Sequence, residues 1–311
     1  MTNIRDIARL SGYSVSTVSR CINDSGYVSE EARNRIQSII DKLDYVPNDV
    51  ARDLSRGKTY NVGVVLPHTL HPYFTHVLQG IMKTAFSSGY HVVVLQSKYD
   101  ADLEIKYLEQ LRRKSYDALI FTSRGIPMKE LLKYQKYGSI VCCENPGEFN
   151  IAAAYALRKE TFIEAFEWIK QQRYKKVGIL LSRDNQFSAT SKVTLECFKK
   201  VFGRNARIVD TNVTTYRDGY ESISRLFEKN ERPDFIFANG DDVAVGARQY
   251  YLDHALKVPS MMGQENQLSG RITHLPTIDH QFEIVGQTAL KLAISNIIKQ
   301  IPIKSYLIRE R

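Results

Sequence analysis

The chain has 311 residues, of which 43% are hydrophobic and 25% charged, a composition typical of a globular protein with two or three domains. No apolar run is long enough to span a bilayer, and the N-terminus lacks a basic segment followed by an apolar stretch, so we expect a cytoplasmic protein without a signal peptide. The net charge is +9, but residues 1–60 hold nine basic and eight acidic side chains, so the charge alone does not identify a nucleic-acid site.

The first sixty residues predict a group of short helices. Apolar residues at helical spacing over residues 4–10 indicate a first helix that ends at Gly12, and the same pattern over residues 15–22 indicates a second. Ser29 followed by two glutamates is typical of a helix start, because the hydroxyl caps free N–H groups and the acids interact favourably with the helix dipole. A further helix of one to two turns is predicted within residues 48–57.

From residue 60 onward, short β-branched runs alternate with amphipathic helical stretches. The predicted strands are residues 61–66, 91–96, 118–122, 140–143, 176–181 and 234–238. The predicted helices are residues 73–88, 102–113, 161–172, 191–202, 219–229 and 243–254. This alternation indicates parallel sheets covered on both faces by helices, and there are too many elements for one small sheet. We therefore predict two α/β lobes with a ligand cleft at their facing strand ends.

The predicted fold is an N-terminal all-α headpiece followed by a two-lobed α/β core. The predicted domains are a headpiece over residues 1–46, a linker over residues 47–59 and a core over residues 60–311. Within the core, one lobe is expected to contain residues 60–150 and 277–290, and the other residues 151–276 and 291–311.

Residues 3–23 have the pattern of a helix-turn-helix, with Gly12 in the turn and the small Ala8 allowing the helices to pack closely. The second helix carries short hydroxyl side chains near its N-terminus, where free N–H groups and the helix dipole favour a phosphate. Arg20, on the same helix, can donate two hydrogen bonds to a guanine edge, which discriminates against other bases by about 1–3 kcal/mol. The alternative is a hydroxyl-rich, solvent-facing helix of a small bundle.

The segments IRDIA (4–8), GYSVSTVSR (12–20), YVPN (45–48) and ARDL (51–54) resemble, in this order, the N-terminal signature of the LacI/GalR family. The resemblance implies a sequence-specific DNA-binding transcriptional repressor that binds a palindromic operator as a homodimer. It implies that bases in the major groove are contacted by Val15, Ser16 and Arg20. It also implies that phosphates are bound by Ser14, Thr17, Ser19, Asn23 and Tyr27.

The same resemblance implies that residues 48–56 form a hinge helix. The operator would then be contacted by Asn48, Ala51 and Leu54, with the leucine wedged into the minor groove. A two-turn helix is marginal in water, so we expect it to fold only when DNA and a symmetry mate bury it. The alternative is that Leu54 is an ordinary linker residue.

The resemblance continues through the core, at NVGVVLP (61–67), HPYF (71–74) and RPDFIFA (232–238), and implies the fold of periplasmic sugar-binding proteins. Several positions that bind effectors in the family differ here. His68 stands where the family has Asp, His71 where it has Asn, and Thr194 where it has Arg. These differences predict an effector unlike a simple neutral hexose.

We expect the effector, a sugar or sugar phosphate, to lie in the interlobe cleft. The candidate effector-binding residues are His68, His71, Tyr73, Phe74, Arg124, Glu144, Lys192, Thr194, Asp241 and Glu265. Several of the polar candidates follow predicted strands, where the mouth of such a cleft lies. The two aromatic residues could stack on a sugar ring or belong to the core, and the histidines could bind an anion, respond to pH or be structural.

Several alternatives stay open at the level of sequence. A solute-binding receptor would share the core fold, and a decayed pocket would give constitutive repression. The sequence does not fix the direction of the effector's influence, a dimer against a tetramer, or the use of a protein co-repressor. No nucleophile-elbow, P-loop, dinucleotide or metal-triad motif is present, so we expect no enzyme, cofactor or metal, and four buried free thiols.

Overall fold

The computed structural model describes residues 3–47, 53, 57–206 and 208–309. The chain divides into two compact units, residues 1–59 and residues 60–311. Within the described residues, no helix combines the length and the apolar character needed to cross a membrane.

The first unit contains the predicted short helices. They are α1 (Ile4–Ser11), α2 (Val15–Ile22) and α3 (Glu30–Lys42). A capping box starts α1, because the Asn3 side chain accepts hydrogen bonds from the N–H groups of Arg5 and Asp6 while the Asp6 carboxylate accepts one from Asn3 N–H. Gly12 ends α1 in the left-handed conformation, with φ 78°, which glycine adopts without strain.

The three helices share one small core. Ile7 of α1, Val18 of α2 and Ile36 of α3 are fully buried against one another. Because each helix is amphipathic, its opposite face is left in solvent. This packing fixes the direction in which α2 presents its polar side chains.

The second unit alternates strands and helices. The strands of its described part are β1 (Asn61–Leu66), β2 (His91–Gln96), β3 (Ala118–Phe121), β4 (Ser139–Cys142), β5 (Ala152–Leu157), β6 (Val177–Leu180), β7 (Ile208–Asp210), β8 (Phe235–Phe237), β9 (Ser260–Met262), β10 (Thr277–Asp279), β11 (Gln300–Lys304) and β12 (Tyr306–Ile308). The helices are α4 (Pro72–Ser88), α5 (Ala101–Arg112), α6 (Met128–Tyr134), α7 (Lys159–Gln171), α8 (Ala189–Phe202), α9 (Tyr216–Glu228), α10 (Asp241–Asp253), α11 (Leu268–Ile272) and α12 (Phe282–Ser295).

Two parallel sheets define two lobes. The first lobe has a six-stranded sheet in the order β11-β5-β4-β3-β1-β2, and the second has a four-stranded sheet in the order β7-β6-β8-β9. Successive residues of a strand face opposite sides, so Val64 packs against α4 and α12 while Val65 packs against α5 and α6. The second sheet is covered in the same way, by α7 and α8 on one face and by α9 and α10 on the other. The predicted two-lobed α/β architecture is confirmed.

The chain passes between the lobes three times, which corrects the predicted lobe boundaries. β5 pairs in parallel with β4 and β11, so residues 152–157 and 300–304 belong to the first lobe, although the sequence placed them in the second. β5 carries three consecutive alanines, which have low strand propensity and hide the strand in the sequence. The crossings fall at Arg158, at residues 280–281 and at Ser305.

The three crossings are tied to one another. His280 Nδ1 lies 2.9 Å from Ser305 Oγ, and Thr161 Oγ1 donates to the carbonyl oxygen of Ser305 at 3.3 Å. The His280 ring also packs edge-on against Phe162. The lobes are therefore joined at a compact buried crossing next to the cleft.

Candidate functional site

The exposed face of α2 carries the side chains that the sequence assigned to base contacts. Val15, Ser16 and Arg20 are exposed, whereas Val18 and Cys21 on the other side of the helix are buried. A short helix with one face packed and the other free has the shape required to enter the major groove.

Hydroxyl groups surround the N-terminus of α2. Ser14 Oγ accepts a hydrogen bond from Thr17 N–H at 3.1 Å and lies 2.8 Å from both Ser16 Oγ and Thr17 Oγ1. The first turn of α2 has no acidic residue, so no local charge neutralises the positive end of the helix dipole. A phosphate oxygen at this position would receive hydrogen bonds from the hydroxyls and from free backbone N–H groups.

The remaining polar side chains of this face differ in whether they already have hydrogen-bond partners within the protein. The side chain of Arg20 makes no hydrogen bond or ion pair with another described residue, and Tyr27 is 89% exposed. Asn23 is engaged already, because its Nδ2 donates to the carbonyl oxygen of Ser19 at 2.8 Å and to Ser19 Oγ at 3.3 Å. The Arg20 side chain can therefore turn to a ligand without breaking a hydrogen bond, whereas the amide nitrogen of Asn23 would first have to give one up.

A cavity of about 250 Å³ lies between the two lobes of the second unit. Many of its lining residues follow strands of the two sheets, such as His68 after β1, Glu144 after β4, Arg183 after β6 and Glu265 after β9. Parallel strands bring their carboxyl ends to one edge of a sheet, and the two edges face each other here. The size and setting suit a ligand of about monosaccharide size.

Aromatic side chains form one wall of the cavity. The ring centroid of Tyr73 lies 4.9 Å from that of Phe74 and 4.7 Å from that of Phe282, both edge-on. Tyr73 Oη donates to the carbonyl oxygen of Thr122 at 2.7 Å, and lies 3.2 Å from that of Cys143. The Tyr73 hydroxyl therefore connects the loops that follow β3 and β4. Its aromatic ring lines the cavity.

The two acidic groups of the cavity have partners. Arg124 Nε lies 2.5 Å from Glu144 Oε1, and the same arginine donates to the carbonyl oxygen of Ile126 at 2.6 Å. Burial raises the pKa of Glu144, an effect that the Arg124 charge opposes. Burial also raises the pKa of Glu265 well above its usual value, again opposed by a positive charge, that of Arg158.

His71 and Glu265 connect the lobes. His71 precedes α4 in the first lobe, and its Nδ1 lies 3.2 Å from Glu265 Oε1 in the second lobe. Glu265 Oε2 accepts a hydrogen bond from Gln267 Nε2 at 3.0 Å. Burial, and then the positive charge of neighbouring groups, lowers the pKa of His71 to about 3. The imidazole is therefore neutral near neutral pH.

Two arginines line the cavity without an anionic partner. The guanidinium of Arg183 lies 3.8 Å from the ring centroid of Tyr99, and that of Arg158 lies 5.2 Å from the ring centroid of Phe282. Neither forms an ion pair or a hydrogen bond with any residue that the structure describes. His68 Nδ1 and Asn239 Oδ1 are also buried without a hydrogen-bond partner in the described residues, so the wall offers further polar atoms to a ligand.

Each of the two units matches the model of a known protein family. Residues 3–48 match the family described as bacterial regulatory proteins, lacI family. Residues 59–305 match the periplasmic binding proteins and sugar binding domain of the LacI family. The chain belongs to the LacI family.

Relatives of this LacI-family chain match it over nearly its full length. Catabolite control protein B of Bacillus subtilis is 36% identical, over 95% of this chain and 95% of its own. The fold is similar to that of a lac repressor dimer bound to operator and the anti-inducer ONPF, with a TM-score of 0.82 at 17% identity, over 99% of this chain and 98% of that one. It is also similar to a LacI-family regulator from Lactobacillus casei with bound glucose, with a TM-score of 0.68 at 20% identity, over 80% of this chain and 98% of that one.

The structure brings together most of the predicted DNA-contacting residues of this LacI-family headpiece. On α2 and the turns that flank it lie Ser14, Val15, Ser16, Thr17, Ser19, Arg20, Asn23 and Tyr27. The other three, Asn48, Ala51 and Leu54, lie outside the described residues. Their roles stay predictions.

The predicted effector residues divide into two groups. The cavity is lined by His68, His71, Tyr73, Phe74, Glu144, Thr194 and Glu265. Arg124, Lys192 and Asp241 do not line it. Arg124 is turned toward Glu144 and Ile126, and Lys192 is exposed on α8. Asp241 is fully buried and accepts hydrogen bonds from Thr277 Oγ1 at 2.6 Å and from Gln267 N–H at 2.7 Å.

The sequence reasoning missed other lining residues, of which Arg158, Arg183 and Tyr99 matter most. Arg183 follows a predicted strand, so the rule that selected Arg124 and Glu144 should have selected it as well. Arg158 follows β5, a strand that was not predicted, so the sequence carried no comparable signal for it.

Proposed function

We propose that this LacI-family chain is a cytoplasmic transcriptional repressor that binds an inverted-repeat operator as a homodimer, and that a sugar or sugar phosphate in the interlobe cleft controls it. The observation that carries the proposal is the free, outward face of α2, with Arg20 unpaired among the described residues and hydroxyls at the helix N-terminus. Base edges and phosphates require these two kinds of group.

The proposed dimer follows from the weak charge of the headpiece. Residues 1–60 hold a net charge of only +1, so non-specific attraction to the phosphate backbone is small. Two headpieces on one inverted repeat would double the specific contacts. A lac repressor of similar fold is a dimer bound to operator, which supports this arrangement.

The structure of the cleft favours a repressor controlled by a small molecule over a constitutive repressor with a decayed pocket. A cavity of about 250 Å³ is kept open, and buried polar atoms such as His68 Nδ1 and Asn239 Oδ1 face no partner among the described residues. Leaving such atoms unsatisfied costs free energy that a ligand's hydroxyls would recover. A LacI-family regulator of similar fold binds glucose, which supports a sugar or a sugar derivative as the effector.

Selection of binding sites from a random pool of duplex DNA tests the proposal, with the full chain and with candidate sugars and sugar phosphates present or absent. We expect an inverted repeat of about 14–20 base pairs with a flexible central step. We also expect at least one of the small molecules to change the yield of bound DNA. Enrichment of no inverted repeat under any of these conditions would contradict the proposal.

A further inference from the structure

The charges of the cleft do not balance. Its two carboxyl groups are both engaged, Glu144 with Arg124 and Glu265 with His71 and Gln267. The guanidinium groups of Arg158 and Arg183 line the same cavity and form no ion pair with a described residue. Lys159 also lines the cavity, at an exposed position, so the cavity presents two guanidinium charges and one ammonium charge that form no ion pair with a described residue.

The surroundings of Arg158 make its positive charge unfavourable in the absence of an anionic partner. Its guanidinium stands over Phe282, next to the aromatic wall, and burial lowers its pKa. Glu265 acts on it only through space, because no ion pair joins the two side chains. Arg158 is only partly exposed, and a charge that is partly removed from water and has no ion-pair partner is unfavourable. An anion at this position would therefore gain more than it would at an exposed arginine.

Arg183 is held in place at another part of the wall. Its guanidinium lies over the ring of Tyr99, with its central carbon 3.8 Å from the ring centroid, and it makes no hydrogen bond with a described residue. The N-terminus of α8 follows closely in the chain and contributes Ala189 and Thr190 to the cavity. A planar guanidinium with a free edge matches the geometry of two oxygens of a phosphate or a carboxylate.

We propose that the cleft binds a monosaccharide-sized ligand that carries a phosphate or carboxylate group, and that Arg158 and Arg183 provide its charge recognition. This inference rests on the proposed effector site and narrows its ligand to an anion. The polar atoms His68 Nδ1 and Asn239 Oδ1 would bind the uncharged part of the same ligand.

Calorimetric titration of the full chain, without DNA, tests the inference with matched pairs of charged and neutral probes. The probes are ribose with ribose 5-phosphate, glucose with glucose 6-phosphate and gluconate, and inorganic phosphate alone. We expect at least one charged probe to bind about tenfold or more tightly than its neutral partner, with an affinity that falls as salt is added. A preference for gluconate or for the phosphate esters identifies which anionic group the site takes.

Substitutions of Arg158 and Arg183 test whether these two side chains bind the anionic group of the ligand. Arg183→Gln and Arg158→Gln should each lower the affinity for the charged probe about 10- to 100-fold, and leave any binding of the neutral probe unchanged. Arg183→Lys and Arg158→Lys, which keep the charge, should recover part of the loss. Arg217→Gln removes an exposed arginine outside the cleft and should change nothing. Retained binding of the selected operator shows that each variant is folded.

Two results would overturn the inference while leaving the proposed repressor intact. In the first, the neutral probes bind as tightly as the charged ones, or no charged probe binds, although the chain still selects its operator. In the second, both Gln variants bind the charged probe like the parent chain. Loss of operator selection by the parent chain itself would instead count against the proposed function.

Discussion

Arg20 is the side chain through which α2 can discriminate most strongly between bases. Its guanidinium is exposed and has no partner among the described residues, so it can form two hydrogen bonds to a guanine without first losing a contact. Hydroxyl groups such as those of Ser16 and Thr17 can donate or accept and therefore discriminate less. Sequence preference should depend on Arg20 more than on its neighbours.

Replacing Arg20 by Ala should relax the base preference at one position in each half-site. Removal of a two-hydrogen-bond contact should cost about 1–3 kcal/mol in binding of the preferred operator and little in binding of operators altered at that position. Binding measured against single-base operator variants checks this expectation. Arg35→Ala, an exposed arginine of α3, is the control, and an unchanged preference in Arg20→Ala would assign the discrimination elsewhere.

His71 should make stability depend on pH. Burial and nearby positive charges lower its pKa from 6.5 to about 3, so between these values the unfolded chain takes up a proton that the folded chain refuses. The contribution of His71 to the free energy of unfolding is therefore fully present above pH 6.5 and is lost as the pH falls toward 3. Glu265 acts in the opposite direction, because its raised pKa removes stability as the pH rises above 4.5.

Urea unfolding of the parent chain and of His71→Gln at several pH values isolates the histidine. The stability advantage of the parent chain over the variant should shrink as the pH falls from 6.5 toward 3. His91→Gln, at an exposed position, controls for the loss of an imidazole. A difference between parent and His71→Gln that stays constant over this range would contradict the assigned pKa.

Individual residues of the headpiece were easier to predict than those of the cleft. The side chains of α2 are close in sequence, and the family resemblance placed Val15 and Arg20 on one DNA-facing side, which is exposed. Helical periodicity alone had grouped Val15 with the apolar stripe of Val18 and Ile22, and only Val18 of these three is buried. The cleft is assembled from loops far apart in the chain, so Asp241 could not be recognised as a buried group that holds the loop at Gln267. Arg158 was not predicted as a cleft residue, because the strand that precedes it, β5, was not predicted.

At the scale of elements, glycines set how closely neighbouring helices approach. A Cβ built on Gly80 of α4 would lie 2.0 Å from the carbonyl oxygen of Glu283, and one on Gly286 of α12 would lie 2.0 Å from that of Val77. The second lobe has the same kind of close helix contact, because a Cβ built on Gly219 of α9 would lie 2.2 Å from the carbonyl oxygen of Val243 in α10. The contact of α4 with α12 matters for the cleft, because His71 begins one helix and the crossing at residue 281 precedes the other.

Gly80→Ala should destabilise the second unit. Alanine is the better helix former by about 0.5–1 kcal/mol, but the added methyl group would force the two helices apart at a cost of about 1–3 kcal/mol or more. We expect a net decrease in the free energy of unfolding, measured by urea denaturation. Gln79→Ala, its exposed neighbour, should change it by less than about 0.5 kcal/mol, and an equal or stabilising effect of Gly80→Ala would contradict the close packing.

Elements with strong periodicity were predicted, and short or small-residue elements were not. Strands such as β1 and β6 are β-branched or aliphatic and buried on both faces, so they stand out as apolar runs. β5 is alanine-rich and β10 has three residues, which gives no detectable pattern. The strands that were missed include the ones that cross between lobes, and for this reason the predicted lobe boundaries were wrong.

At the scale of the whole molecule, the alternation of strands and helices was enough to predict two lobes and a cleft at their strand ends. The alternation could not show three crossings, since pairing partners such as β5 and β11 are about 150 residues apart in the chain. Close contacts among the crossings, such as His280 with Ser305, lie next to the cleft, so we expect a ligand in the cleft to move the two lobes relative to each other. We expect ligand binding and operator binding to be coupled through this movement.

The coupling should be reciprocal. A ligand that changes operator affinity by about 5- to 150-fold must have its own affinity changed by the same factor when operator is bound. Titration of the tightest charged probe into the chain with and without selected operator checks this expectation. Equal ligand affinities in the two titrations would mean that the cleft does not control the headpiece.

The most direct test of a dimeric, sequence-specific regulator is the affinity of the full chain for the selected inverted repeat and for the same duplex with one half-site scrambled. Fluorescence anisotropy at a fixed salt concentration measures both. We predict that scrambling one half-site weakens binding at least about 100-fold, because one headpiece loses its base contacts. Equal affinity for the two duplexes would contradict the proposed mode of operator binding.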